Sequence, residues 1–229
     1  MTTTATVATG RINPDATVGE IAASLAGATA VFRRYKIDFC CGGNVSLDEA
    51  AAKRGVDPEL VRASLANLAQ TPPDAPTGSV ELVAHIIARY HDTHRAELPE
   101  LVRLSRRVEA VHRDHPEVPA GLADTLAQAA IDLEDHMKKE EQILFPAICD
   151  GFKGALDGPI MVMRHEHDDH ARTIRALQTL THSYEPPMDA CRSWQALYNG
   201  VEKLVTDLTE HIHLENNVLF PRFQSVRAL

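Results

Sequence analysis

Asp132-Leu133-x-x-His136-x-x-x-Glu140-x-x-x-Leu144-Phe145-Pro146 returns 75 residues later as Asp207-Leu208-x-x-His211-x-x-x-Glu215-x-x-x-Leu219-Phe220-Pro221. A second echo lies upstream of each copy, because His91-Asp92-x-His94 is answered 76 positions on by His167-Asp168-x-His170. On an α-helix, residues four apart lie about 40° apart around the axis and roughly 6 Å apart along it, so a His and a Glu at that spacing share one face. Two such helices facing each other, flanked by two more with one His each, present four imidazoles and two carboxylates to one interior point. Bundle cores of this kind host carboxylate-bridged di-iron or di-manganese centres, and imidazole with carboxylate favours iron-type metals over thiolate-loving ones.

Working outward, four long segments after Gly78 carry apolar residues at helical spacing, with turn signals between them and no strand-type alternation. The first runs from about Ser79 to His112 and includes Leu82, Ile86, Ile87 and Tyr90; the second follows Pro119 and ends near Gly151. The third follows Pro159 and ends before Pro186-Pro187, and the fourth runs from about Met188 past Glu215. Short connections favour antiparallel neighbours, so the fold class is all-α, an antiparallel four-helix bundle. Pro99 inside the first helix, and Pro146 and Pro221 near the ends of the second and fourth, predict a kink or a stop.

Gln70 to Gly78 combines three prolines with a glycine and has no helical period, which reads as a linker. The predicted organisation is a small helical domain over 1–70, a linker over 71–78 and the bundle over 79–229. In the first part Thr17-x-x-Glu20 and Ser46-x-x-Glu49 have the form of capping boxes, and Asp57-Pro58 that of an N-cap with a first-turn proline. Its bend is Asp38-Phe39-Cys40-Cys41-Gly42-Gly43, where paired glycines permit backbone angles that other residues avoid.

The chain has 229 residues, 44% of them hydrophobic, enough for a real core. A formal charge of −9 argues against nucleic acid or an anionic membrane as the main partner, since both need clustered basic residues. No apolar run is long enough to span a bilayer. Ile21 to Phe32 is interrupted by Ser24 and Thr29 and lacks a basic leader, so a cytoplasmic location is expected. Four cysteines at irregular spacing do not form a secreted disulfide framework.

A lone histidine is usually an ordinary surface or core residue, and His112, His115 and His182 are read that way. The repeat singles out His91, His136, Glu140, His167, His211 and Glu215 as metal ligands. His94 and His170 lie one turn from His91 and His167 and stand as competitors. Asp132 and Asp207, four residues before the ligand histidines, are placed to accept a proton from the far ring nitrogen, or else belong to a solvated acidic face. The Leu-Phe-Pro triplets read as core packing and helix termination. A ferritin-like site needs two Glu-x-x-His motifs, and Glu109-x-x-His112 has no partner. A catalytic zinc usually takes three protein ligands, where this set has six.

With both halves of the site and the Cys-Cys-Gly-Gly bend in view, the chain resembles the di-iron Repair of Iron Centres family over nearly its whole length. Asp38 to Gly43 match that family's N-terminal motif. Arg89-Tyr90-His91-Asp92, His136-Met-Lys-Lys-Glu140 and His211-Ile-His-Leu-Glu215-Asn-Asn-Val-Leu-Phe-Pro221 match its hemerythrin-like bundle. The resemblance implies iron ligands at His91, His136, Glu140, His167, His211 and Glu215, holding two Fe ions as an oxo- or hydroxo-bridged centre. It also implies repair of iron–sulfur clusters damaged by nitric oxide or oxidants, by iron donation, with damaged iron–sulfur proteins as partners. Two other functions stand beside it: a hemerythrin-like module that binds nitric oxide or oxygen, which would be richer in histidine and has no need for vicinal thiols, and a di-iron nitric oxide reductase, which uses the same ligands. The oligomeric state stays open, a homodimer included.

Cys40 and Cys41 are the candidate thiols, for capturing iron, carrying electrons or engaging a client. Their α-carbons are about 3.8 Å apart across a trans peptide, below the usual disulfide range of roughly 4.4 to 6.8 Å. The pair is therefore expected to stay reduced or to switch readily, and to be reactive if the bend exposes it near the next helix start.

Overall fold

The structure, a computed structural model, describes residues 16–68, 75–151 and 156–225. Among the described residues the regular structure is helical, apart from one isolated antiparallel bridge between Thr17 and Ser46. The chain separates into two compact units, Met1–Ala75 and Pro76–Leu229. Residues 69–74, which include the first half of the expected linker over 71–78, lie outside the described residues.

The first unit contains α1 (Val18–Ser24), α2 (Ala28–Arg34), α3 (Leu47–Arg54) and α4 (Pro58–Ala66). Thr17 forms the expected capping box: its hydroxyl accepts from Glu20 N at 3.2 Å and Glu20 Oε2 accepts from Thr17 N at 2.8 Å. Ser46 accepts from Glu49 N, and Asp57 accepts from Glu59 N ahead of Pro58 in the first turn. The core is Val18, Phe32, Phe39, Leu47, Ala51, Val61 and Leu65, all buried. Val18 N and Gly19 N, which α1 leaves without helical partners, donate to Val45 O and Gly43 O.

The glycines of the bend serve a different purpose from the expected one. Neither Gly42 nor Gly43 adopts a positive φ. A Cβ on Gly43 would stand 2.4 Å from Phe39 O and 3.0 Å from Gly19 Cα, so this glycine is needed for close backbone approach.

The second unit is the four-helix bundle. Its first helix is α5 (Ser79–Ile86), a π-helical turn Ile87–His91 and α6 (Asp92–Val111); its second is α7 (Leu122–Lys139), a π turn Glu140–Leu144 and α8 (Phe145–Cys149). The third is α9 (Asp157–Leu180), and the fourth is α10 (Arg192–His213) followed by a π turn Leu214–Leu219. Contacts close the ring from α6 through α7, α9 and α10 back to α6. Pairings run in opposite directions along neighbours: Arg95 with Glu134 but Glu109 with Ala123, and Arg89 with Asp207 but Lys203 with Glu97. The helices are therefore antiparallel.

Buried Leu82, Ile86, Leu98, Leu126, Leu133, Ile160, Leu177, Trp194, Leu197, Tyr198, Val201 and Leu204 fill the interior. A Cβ on Gly200 would meet Leu101 Cδ2 at 2.6 Å, so the Leu101 side chain of α6 fills the space that this glycine leaves on α10. Pro99 lies within α6 without stopping it, and Pro221 falls in the short 3-10 turn Phe220–Arg222 that ends the fourth helix, as expected, whereas Pro146 opens α8 rather than ending its helix. After the π turn Pro146 occupies a first-turn position, where no N–H is required.

Candidate metal centre

All six residues selected from the repeat converge in the bundle and are at most 1% exposed. His136, His167 and His211 project from α7, α9 and α10, whereas His91, Glu140 and Glu215 each lie in a π turn. Such turns insert one residue into the helical winding and recur at functional sites. Hydrophobic periodicity does not resolve them.

The side chains form two groups that share both carboxylates: His91 and His211 with Glu140 and Glu215, and His136 and His167 with the same two. In each group the ligating atoms lie within 4.8 Å of one another. Glu140 sets Oε2 3.4 Å from His91 Nε2 and Oε1 3.4 Å from His136 Nε2. Glu215 sets Oε1 3.1 Å from His211 Nε2 and Oε2 3.1 Å from His167 Nε2. Each carboxylate thus spans the two histidine pairs.

The far ring nitrogens fix the tautomers. His91 Nδ1 donates to Glu141 Oε1 at 2.7 Å, His136 Nδ1 to Glu166 Oε2 at 2.9 Å, and His167 Nδ1 to Asn216 Oδ1 at 3.0 Å. Ionised carboxylates and amide oxygens only accept, so these rings turn their Nε2 lone pairs inward. Nε2 of His136 and His167 face each other at 3.2 Å, and those of His91 and His211 at 3.1 Å. Paired lone pairs beside two buried carboxylates are a cation's donor set. Both oxygens of Glu140 and Oε2 of Glu215 are buried with no hydrogen-bond donor, which fits the same reading.

The expected acceptors Asp132 and Asp207 do something else. Asp132 accepts from Gln128, and Asp207 pairs with Arg89 at 2.7 Å and Lys203 at 2.9 Å. The rings face across to neighbouring helices, so their partners come from there. The sequence held a signal for two of these partners: Glu141 and Asn216 directly follow Glu140 and Glu215, at the offset of the repeat. Glu166 has no such counterpart, since its equivalent by the upstream echo is Tyr90, which stacks on His211 with centroids 5.7 Å apart. His211 Nδ1 is buried and has no hydrogen-bond partner. The Leu-Phe-Pro triplets do more than fill space, because Phe145 stacks on His91 and Phe220 on His167 at 5.8 and 5.9 Å.

Burial opposes charge on His136, yet Glu140 and Glu166 outweigh it and lift the ring to about 10. Its hydrogen bond to Glu166 in turn holds that carboxyl at about 2. Burial, reinforced by the charge of His91, pushes His211 well below the usual imidazole range. His94 and His170 are buried too and belong to neither four-residue group. Glu109 accepts from Ala123 N in the first turn of α7, while His112 contacts Cys191 Sγ at 3.2 Å, so the Glu109-x-x-His112 motif does not act as a metal-binding unit.

In the first unit, Cys40 Sγ lies 3.5 Å from Asp38 Oδ1 and 3.5 Å from Cys41 Sγ, and neither cysteine is in a disulfide. Asp38 Oδ1 also accepts from Cys41 N and Gly42 N. The condition for a reactive thiolate, exposure by the bend, is not met at Cys40: the hydrogen bond with Cys41, together with burial, raises its thiol well above the usual range. Cys41 is the half-buried member of the pair. The helix that follows starts only at Leu47.

Residues 82–223 match the family described as hemerythrin HHE cation binding domain, and residues 14–69 match ScdA_N, a domain of unknown function. The chain is 48% identical over 212 residues to an iron-sulfur cluster repair protein YtfE of Dickeya chrysanthemi, covering 91% of this chain and 96% of that one. It is 47% identical to the proteins of the same name from Citrobacter koseri and Escherichia coli O17:K52:H18, again over 91% of this chain and 96% of theirs. The chain therefore belongs to the iron-sulfur cluster repair family, in which a ScdA_N domain precedes a hemerythrin HHE cation-binding domain.

Proposed function

We propose that this protein holds two iron ions between His91, His136, Glu140, His167, His211 and Glu215 and donates iron to clusters damaged by nitrosative or oxidative stress. The observation that carries the reading is the division of each buried carboxylate between two histidine pairs. The donor set favours iron over metals that prefer sulfur. When bound, the pair of ions supplies redox chemistry and open positions for small ligands.

The protein's own residues keep that centre assembled and dry. Glu141, Glu166 and Asn216 hold three imidazoles with Nε2 directed inward. Phe145 and Phe220 cover two of the rings and exclude water. His211 has the Tyr90 ring against it and no acceptor on Nδ1, so the His91–His211 group holds its ion less firmly. That ion is the cargo. The Asp38 carboxylate and the two thiols, within 4.8 Å of one another, form a soft receiving group reached first through Cys41. The clients are damaged iron–sulfur proteins of the cytoplasm.

The test uses the iron-loaded full chain and a nitric-oxide-damaged iron–sulfur enzyme, following client activity, iron transfer and nitrous oxide together. Recovery of the client with iron gained from the protein supports donation. Nitrous oxide without iron transfer would replace it by nitric oxide reduction, and tight gas binding with neither would replace it by a gas-binding role.

A further inference from the structure

The second histidines of the upstream echo, His94 and His170, have no part in the centre described above. They occupy equivalent places, each one turn beyond His91 or His167. His94 is fully buried with neither ring nitrogen hydrogen-bonded, and His170 is 5% exposed with a buried, unbonded Nε2. Their rings lie against opposite halves of the site: His94 is 5.6 Å from His211, and His170 stands edge-on 4.9 Å from His136, by ring centroids. Neither joins the groups of atoms that converge on the carboxylates, so neither is placed as a ligand.

A buried imidazole ordinarily spends its N–H on a carbonyl, a carboxylate or an ordered water. These two spend none of theirs on the protein within the described residues. A neutral imidazole has one donor and one acceptor to place. Two polar groups kept unsatisfied in equivalent positions beside a metal centre mark a site for something small that carries its own polar atoms.

We infer that His94 and His170 are hydrogen-bond donors to a diatomic or triatomic ligand bound at the metal centre, one histidine serving each half. The inference rests on the proposed dinuclear reading and deepens it by naming the residues that position the exogenous ligand. His94 acts from the His91–His211 side and His170 from the His136–His167 side. Both are positioning residues, and the ligand they suit has acceptor atoms and little bulk, as nitric oxide and azide have.

The test titrates azide into the oxidised, iron-loaded full chain by optical absorption, and nitric oxide into the reduced form, measuring iron per chain in the same samples. His94→Leu and His170→Leu should each keep the parental iron content and weaken binding of the probe about tenfold, the effect of one lost hydrogen bond. His94→Gln and His170→Gln, which restore a donor, should recover most of that loss. Parental affinity in both Leu variants at full iron content would overturn the inference. So would loss of iron in the Leu and Gln variants alike, which would make the pair structural or coordinating. A parent that holds two irons yet binds neither probe also ends the inference while leaving the centre intact; a parent without iron ends both.

Discussion

Glu141 and His91 meet at 2.7 Å across two helices, and Glu141 is the residue next to Glu140. Successive residues on a helix point about 100° apart, so one step along the chain turns a carboxylate from the site toward the neighbouring helix's histidine. Asn216, beside Glu215, does the same for His167. Each Glu-containing turn therefore supplies both a candidate ligand and the support of another ligand.

Glu140→Ala and Glu215→Ala should each leave the protein with less than half of the parental iron, because each removes a carboxylate shared by both histidine pairs. Removing one partner from a buried ionic set costs about 3 to 5 kcal/mol. Iron analysis of the purified variants checks this, with His112→Ala expected to stay at the parental level. Full loading of both Glu variants would remove the sharing of carboxylates.

The two histidine pairs should bind iron unequally. His91, His136 and His167 have acceptors on Nδ1 and His211 has none. Lost outer partners typically cost about 10- to 100-fold in metal affinity. Anaerobic iron titration should thus resolve two steps, and chelators should strip the ion of the His91–His211 pair first. Glu166→Gln, weakening the support of His136, should narrow the gap; two equal sites in the parent would contradict the argument.

Iron uptake should release protons, and apparent affinity should rise with pH between about 6.5 and 10. Without metal the His136 ring is lifted from an ordinary 6.5 to about 10, so over that window a proton occupies the position a metal needs. The sign for stability is opposite. A raised histidine value contributes stability that is fully present below about 6.5 and is lost as pH climbs through about 10. The iron-free protein should lose that contribution toward alkaline pH, as thermal melts at fixed ionic strength would show. An iron affinity flat across the window would mean that His136 does not exchange a proton for the metal.

A fragment of residues 79–229 should fold as a helical bundle and load iron like the full chain, since every candidate ligand belongs to the unit Pro76–Leu229. Circular dichroism and iron analysis test it. An unfolded or metal-free fragment would place the divide elsewhere.

Cys40→Ala combined with Cys41→Ala should leave the iron spectrum of the bundle unchanged and impair repair of a damaged cluster several-fold. Undiminished repair would take the thiols out of the mechanism.

The candidate ligand set was legible because the same chemistry occurs twice in one register, which an isolated histidine such as His112 does not reproduce. The outer partners were not, because the side of an imidazole that faces outward depends on which helix stands beside it. Asp132 shares a helix with His136 but bonds Gln128, while Glu166 reaches the ring from α9. The π turns escaped for another reason. One extra residue in a turn barely disturbs the spacing of apolar positions, and only the backbone reveals it. At the Cys-Cys-Gly-Gly bend the sequence marked the right residues, yet Gly43 serves close packing against Gly19 and Phe39.

The winding defect at Glu140–Leu144 also sets how this protein tolerates change in length. A π turn holds one residue more than an ordinary turn and absorbs it locally, so deleting Gln142 would restore α-helical winding while leaving the helix beyond in register. Phe145 would keep to the face of His91, on which it stacks. The change would fall on the turn that carries Glu140 and Glu141, and the irregularity thus marks a place where the chain's length can alter without rotating the bundle.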